Sequence, residues 1–170
     1  MVSPSRPSVL RFGAGLFLAT LLTLIPLRGQ ADIRFLEYGE ALPLLWSTMI
    51  AIDQANDSEN YAVLIGIAAP DFQKTNAEAD LRAMFEELRE ARISLRQTLL
   101  MKPKFEIEPQ VRESGLLRMR GEFDLNPVTL KFDLLYQRIY GEWRMIGVAV
   151  VTGELNDKKI AEDWFRKRRW

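Results

Sequence analysis

Three groups of side chains have the types and spacing for chemistry or recognition. Tyr136, Arg138 and Tyr140 alternate along one stretch, which in an extended strand puts all three on one face. An arginine flanked by aromatics there could clamp an anionic ligand; alternatively, Arg138 lies near the strand's end and reaches water over Tyr140 and Trp143. Glu37, Glu40, Asp53 and Asp57 surround a helical stretch and either bring acid to the mouth of a pocket or serve as caps and solvated charge. The chain ends in Arg166, Lys167, Arg168, Arg169 and Trp170, beside Trp164 and Phe165. Four adjacent cations among aromatics suit an anionic lipid surface or an acidic protein partner, and equally a solvated C-terminal helix whose tryptophan packs on the domain.

Composition removes several chemistries. There is no histidine and no cysteine, so the commonest metal ligands, activated thiols and disulfides are missing. No metal site, cofactor or catalytic residue is assigned. All 23 acidic residues follow Ala31, whereas Arg6, Arg11 and Arg28 precede it, so the part after Ala31 carries 20 − 23, or −3. That balance gives no pull toward nucleic acid.

Arg6 and Arg11 precede an uncharged run from Phe12 to Leu27, followed by Gly29-Gln30-Ala31. These are the basic, apolar and small-residue regions of a secretory signal peptide, expected to be removed after Ala31. Residues 1–31 are then the signal, 32–153 one domain and 154–170 a basic, aromatic tail. The implied destination is the periplasm of a Gram-negative bacterium; an uncleaved inner-membrane anchor is the alternative.

The elements that must position the candidate residues are helices first and strands after. Leu42, Leu45, Met49 and Ile52 keep the helical period from about Glu40 to Asn56, with Trp46 and Ile50 widening the stripe and Pro43 in the first turn. Asp57-Ser58 offers a cap for a second helix carrying Tyr61, Leu64, Ile65 and Ala68, closed by Pro70. Thr75 and Glu78 form a capping box for a third, whose apolar positions are Leu81, Met84, Phe85 and Leu88. Its other face bears Glu78, Arg82, Glu86 and Arg89, a salt-laced surface. A connector with Leu95, Leu99 and Leu100 has no clear state.

From Phe105 to Val151 the pattern predicts four antiparallel strands. The link Asn126-Pro127 sets Phe123 opposite Leu130, Gly121 opposite Phe132 and Met119 opposite Leu134, with Arg120 facing Asp133 and Glu122 facing Lys131 on the other surface. A three-residue loop, Glu113-Ser114-Gly115, pairs Val111 with Leu117 and Ile107 with Gly121. A Gly141-Glu142 turn pairs Tyr140 with Trp143, Arg138 with Met145 and Tyr136 with Gly147. One face then carries Ile107, Val111, Leu117, Met119, Phe123, Leu130, Phe132, Leu134, Tyr136, Trp143, Met145 and Val151, and the helices must cover it. The outer face carries Leu116, Leu135, Ile139, Ile146, Val148 and Val150, a cluster that suggests a homodimer or partner surface.

Helices followed by a wrapping meander resemble the NTF2-like superfamily, a cystatin-like α+β cone that includes ketosteroid isomerase and scytalone dehydratase. The resemblance covers about Tyr38 to Thr152. It rests on the short helix Tyr61 through Phe72 ending in Pro70-Asp71-Phe72, and on the strands Phe132-Asp133-Leu134-Leu135-Tyr136 and Trp143-Arg144-Met145-Ile146-Gly147-Val148. It implies a small exported bacterial member with a pocket between the helices and a curved four-stranded sheet. Scytalone dehydratase-like chemistry relies on histidine, which is missing; ketosteroid isomerase-like chemistry needs a carboxylate base with a tyrosine donor, and no acid falls on the concave face of the last three strands.

The expectation is therefore an α+β, exported, non-catalytic binding or assembly module that meets a protein partner or membrane through its sheet or tail. The alternative is a small-molecule carrier or isomerase/dehydratase-like enzyme. It would use a pocket lined by Trp46, Phe85, Met119, Phe132 and Tyr136, with Arg138 and Tyr140 at its rim.

Overall fold

The computed structural model describes residues 34–153. The signal segment and the tail lie outside these residues. The fold is α+β, with helices packed on a curved, open antiparallel sheet. Five strands build it where four were expected: β1 Arg34–Phe35, β2 Lys104–Val111, β3 Leu117–Asp124, β4 Thr129–Ile139 and β5 Glu142–Thr152, in sequence order. The extra strand, β1, is two residues long and pairs Arg34 with Val111 and Phe35 with Gln110. Two residues carry no periodicity, so sequence patterning cannot reveal them.

Helix α1 spans Tyr38–Ser58 and buries Ala41, Leu45, Met49, Ile52 and Ala55, the three-to-four spacing of one face. It starts two residues before the expected Glu40 boundary, so Pro43 is interior and has no N–H for the Gly39 carbonyl. Asp57 and Ser58 belong to its last turn rather than capping the next helix. Glu59 ends it with φ 52°, a left-handed conformation, and Arg82 reaches across to that residue's carbonyl at 2.6 Å and to its carboxylate.

The second helix, α2, runs Ala62–Ile67, its start marked by Asn60 accepting from the Ala62 N–H. Pro70 does not close a helix but opens one, α3 Pro70–Thr75, where its missing N–H costs nothing. Thr75 therefore ends α3, donating to the Asp71 carbonyl; the next helix is capped by Asp80, whose carboxylate accepts from the Ala77 N–H. The expected third helix divides at Phe85 into α4 Glu78–Met84 and α5 Glu86–Glu90. Leu81, Phe85 and Leu88 are buried and Met84 is exposed. Arg82 pairs with Glu59, and Arg89 donates to the Tyr61 hydroxyl and the Arg82 carbonyl, rather than to acids of their own helices. The connector is a 3-10 helix, Leu95–Leu100, with Leu95 buried and Leu99 and Leu100 outside.

The register of β3 with β4 is as expected at every pair, from Asp124 opposite Thr129 to Leu117 opposite Tyr136. The three-residue loop before β3 is present, with Gly115 at φ 74° and Val111 opposite Leu117. Irregularities in β2 place Ile107 opposite Arg120 and give Gly121 to Phe105. The last hairpin turns one residue early, on Tyr140 and Gly141, both at positive φ as its twist requires. Arg138 then pairs with Trp143 and Tyr136 with Met145; the next pair is Leu135 with Gly147, leaving Ile146 as a bulge. That extra residue reverses the parity of the rest of β5. Val148 and Val150 face the helices opposite Leu134 and Phe132, while Val151 stands opposite Lys131.

One core joins Leu45, Met49 and Ile52 of α1, Leu64, Phe72, Leu81, Phe85 and Leu88 of the shorter helices, and Leu117, Met119, Phe123, Leu130, Phe132 and Leu134 of the sheet. Among the described residues no helix is long and apolar enough to cross a membrane.

Gly121 lies where β2 bulges toward β3, and a Cβ there would stand 2.3 Å from the Lys104 carbonyl oxygen and 3.0 Å from Phe105 Cα. Gly121→Ala should cost about 1–3 kcal/mol, the usual range for forcing extra volume into packed structure. Urea unfolding followed by circular dichroism measures it; an unmoved midpoint would mean that β2 does not approach so closely.

Candidate functional site

Of the expected pocket residues, four come together and three do not. Phe85, Met119, Phe132 and Tyr136 belong to the one core cluster, all but Tyr136 with no exposed surface. Phe132 is held by Phe123 at 5.4 Å between ring centroids and by the edge of Phe105 at 6.0 Å, and Phe85 stacks on Tyr61 at 6.1 Å. These side chains fill the space between helices and sheet with each other. Trp46 is half-buried on α1 apart from that cluster, its indole N–H buried without a partner.

Tyr136 is the polar atom at the centre of the sheet-helix interface. Strand alternation points it at α1, where one helical turn brings the Leu44 carbonyl and the Thr48 hydroxyl to the same place. Its hydroxyl donates to Leu44 O at 3.1 Å and so accepts from Thr48 Oγ1 at 2.8 Å. Burial holds the phenol well above the usual tyrosine range, with the Thr48 hydrogen bond pulling weakly the other way. Neither partner is an acid. As an oxyanion donor the group has already given its only proton to the backbone.

Arg138 and Tyr140 are not inside. Tyr140 occupies the turn, fully exposed, and so does not share the face of Tyr136. The early turn is the physical reason: it removes Tyr140 from the strand. Arg138 donates to the Gly141 carbonyl at 3.0 Å and lies over the Trp143 ring at 5.5 Å, with Trp143 in turn donating to Glu40 Oε1 at 2.9 Å. It therefore reaches water over Trp143, as the second reading of that row has it.

The four acids of α1 and its approach take structural places. Glu37 is the cap residue of α1, its carbonyl accepting from Glu40 and Ala41. Asp53, almost wholly buried, accepts from the Leu95 N–H at 2.7 Å and faces the Arg96 guanidinium, which also pairs with Asp57 at 2.8 Å. A carboxylate on α1 thereby anchors the start of the 3-10 helix, satisfying one of its orphan donors. Among the described residues no three acidic side chains gather as a set able to hold a metal ion.

Sequence pairing placed Arg120 opposite Asp133 on the outer sheet face, as found, but not the diagonal contact made there. Asp133 accepts two hydrogen bonds from Arg118, diagonally placed, rather than from its cross-strand partner Arg120. Arg120 donates instead to Glu106 Oε2 at 2.9 Å, with its guanidinium 3.9 Å from Asp133. Diagonal neighbours on a face lie within reach of a long side chain, which is the signal that was available. The carboxylate of Asp133 raises the Arg118 pKa through these hydrogen bonds, so the guanidinium stays charged. The basic tail from Trp164 to Trp170 lies outside the described residues.

A phenol pKa raised in the folded state favours the protonated form there. Its contribution is complete below pH 10, where the unfolded tyrosine keeps its proton, and falls away as pH rises above that. Tyr136→Phe should therefore cost about 1–2 kcal/mol at neutral pH through the lost hydrogen bonds, and should flatten the decline in stability above pH 10. Denaturant midpoints across pH 7 to pH 11 test both effects; parallel profiles for the two chains would contradict the burial of the hydroxyl.

Compared with protein-family models, curated proteins and solved structures, the chain matches none.

Proposed function

We propose that this chain is an exported, non-catalytic module of NTF2-like type that acts by contact with a protein partner or a membrane surface. The observation that carries the reading is the state of Tyr136: this tyrosine on the helix-facing side of the sheet, where the resemblance would call for a donor, is spent on Thr48 and Leu44. The side chains that would line a ligand pocket, Phe85, Met119 and Phe132, are instead packed against one another and their neighbours. A carrier would need that space open, and an isomerase would need a base within it as well.

Recognition then falls to the surface. The tail supports this by composition, since Arg166, Lys167, Arg168 and Arg169 stand among Trp164, Phe165 and Trp170, a pairing of charge and interfacial aromatics suited to anionic surfaces.

The test reverses all four charges in the full chain: Arg166→Glu, Lys167→Glu, Arg168→Glu and Arg169→Glu. Sedimentation with phosphatidylglycerol vesicles, and cross-linking in the cell envelope, should show association by the unaltered chain that weakens at least tenfold in the variant and with added salt. Equal association of both chains would remove the tail from the contact. Retention on phosphatidylcholine vesicles alone would argue for an apolar rather than a charged contact.

A further inference from the structure

The connector between α5 and β2 carries charge of one sign. From Ala91 to Lys104 its charged residues are Arg92, Arg96, Lys102 and Lys104, all cations and all exposed, and no acid occurs in that stretch. The same stretch holds the adjacent leucines Leu99 and Leu100, 47% and 91% exposed. Two leucines in water are ordinary on a folded surface. Set within an acid-free run of cations, they make an amphipathic surface element.

The fold holds these leucines outward. A 3-10 helix repeats every three residues, so the side chains of Leu95–Leu100 fall into three rows. Leu95 and Thr98 form the buried row, and Met101 continues it against the core. The remaining rows, Arg96 with Leu99 and Gln97 with Leu100, stay outside. The buried row is fastened to α1 by the Asp53 carboxylate, which accepts from the Leu95 N–H at 2.7 Å. Thr98 closes the turn, donating to the Leu95 carbonyl at 2.7 Å and accepting from the Met101 N–H at 3.1 Å. Turning Leu99 or Leu100 inward would break these attachments.

We propose that this connector docks on an anionic lipid surface, with Leu99 and Leu100 entering the headgroup boundary and Lys102 meeting lipid phosphate. Two of the cations are answered within the domain, Arg96 by Asp53 and Asp57 and Lys104 by Asp124 at 3.5 Å. Among the described residues Arg92 and Lys102 have no ion-pair partner. Four cations against three acids leave the patch positive. A socket in another protein fits this chemistry less well, because protein hot spots are rich in Trp, Tyr and Arg and poor in Leu. Aliphatic side chains beside cations are instead the composition of elements that lie in a membrane interface. The proposal rests on the membrane half of the reading above and adds to it a contact on the folded domain, separate in sequence from the tail.

The chain has no cysteine, so Leu100→Cys carrying the environment-sensitive fluorophore NBD reports on that position alone. With phosphatidylglycerol vesicles added to the full chain, its emission should shift to the blue. The same label on Ser114→Cys, in the loop at the other end of β2 and roughly 25 Å from Lys104, should not shift. Without a label, Leu99→Gln combined with Leu100→Gln should weaken sedimentation with these vesicles at least tenfold, and Lys102→Gln about fivefold. Unchanged circular dichroism checks that the variants fold. An unshifted label on vesicle-bound chain, or a label shielded by envelope proteins and not by lipid, would leave the reading above standing and overturn this site. No association with phosphatidylglycerol vesicles at all would overturn both this site and the membrane half of that reading. An equal shift with phosphatidylcholine vesicles would deny the cations a part, and a shift that grows with protein concentration in the absence of vesicles would put a second copy on the leucines; either also overturns the proposal.

Discussion

A strand serves a core only while its side chains keep step with those of its neighbour, and at Ile146 β5 breaks step. The bulge opposite Leu135 lets Met145 and Val148, three residues apart, both face the helices. Without it, either Met145 or the pair Val148 and Val150 would turn outward, because a one-residue shift sends every later side chain to the other face. The helix-facing layer is complete because of this one residue, and Leu134, Phe132 and Leu130 find apolar partners along their whole length. Gly147 fits the same place for a related reason, since a Cβ there would press on the Leu135 side chain at 3.1 Å.

A closed layer decides what happens to polar groups trapped beneath it. Tyr136 can remain because α1 offers a hydroxyl and a carbonyl at hydrogen-bonding distance; an unmet phenol would cost more than the bond contributes. Asp53 remains because the 3-10 helix offers an N–H and Arg96 offers charge. Tyr136 and Asp53 are therefore attachments between elements distant in sequence. Such groups resemble catalytic candidates in a sequence, being acids and tyrosines amid apolar residues, but their partners consume the valences that chemistry would use.

The parts of this arrangement legible in the sequence were those governed by short-range rules. Paired charges and paired apolar residues gave the β3–β4 register in full, and the three-residue loop followed from a glycine able to take φ 74°. Bulges escaped, because two residues opposing one leave no mark in a period-two pattern until a partner strand is known. Tyr140 escaped because a non-glycine residue at φ 50° is uncommon, so the turn was expected one residue later, on Gly141 and Glu142. Helices α4 and α5 were legible as apolar positions but not as separate pieces, and α3 was not read as a helix, since Pro70 stops one helix and starts another equally well. Asp53 was legible as an acid on α1, whereas its burial depended on where the 3-10 helix would land.

The distribution of exposed apolar residues bears on where recognition can occur. Among the described residues, Phe35 on β1, Tyr38 on α1, Val63 and Ile67 on α2, Met84 on α4, Leu99 and Leu100 on the 3-10 helix, and Tyr140 in the last turn are exposed. Exposed apolar side chains in ones and twos are ordinary for a folded surface. The helix-facing side of the sheet is filled and the outer side is buried around Arg118 and Asp133. A buried pair of this kind is stable only while it stays covered, because losing a partner or gaining water on one side strands a charge whose desolvation has already been met. Both faces of the sheet thus bury their central side chains, Phe132 on one side and Asp133 on the other.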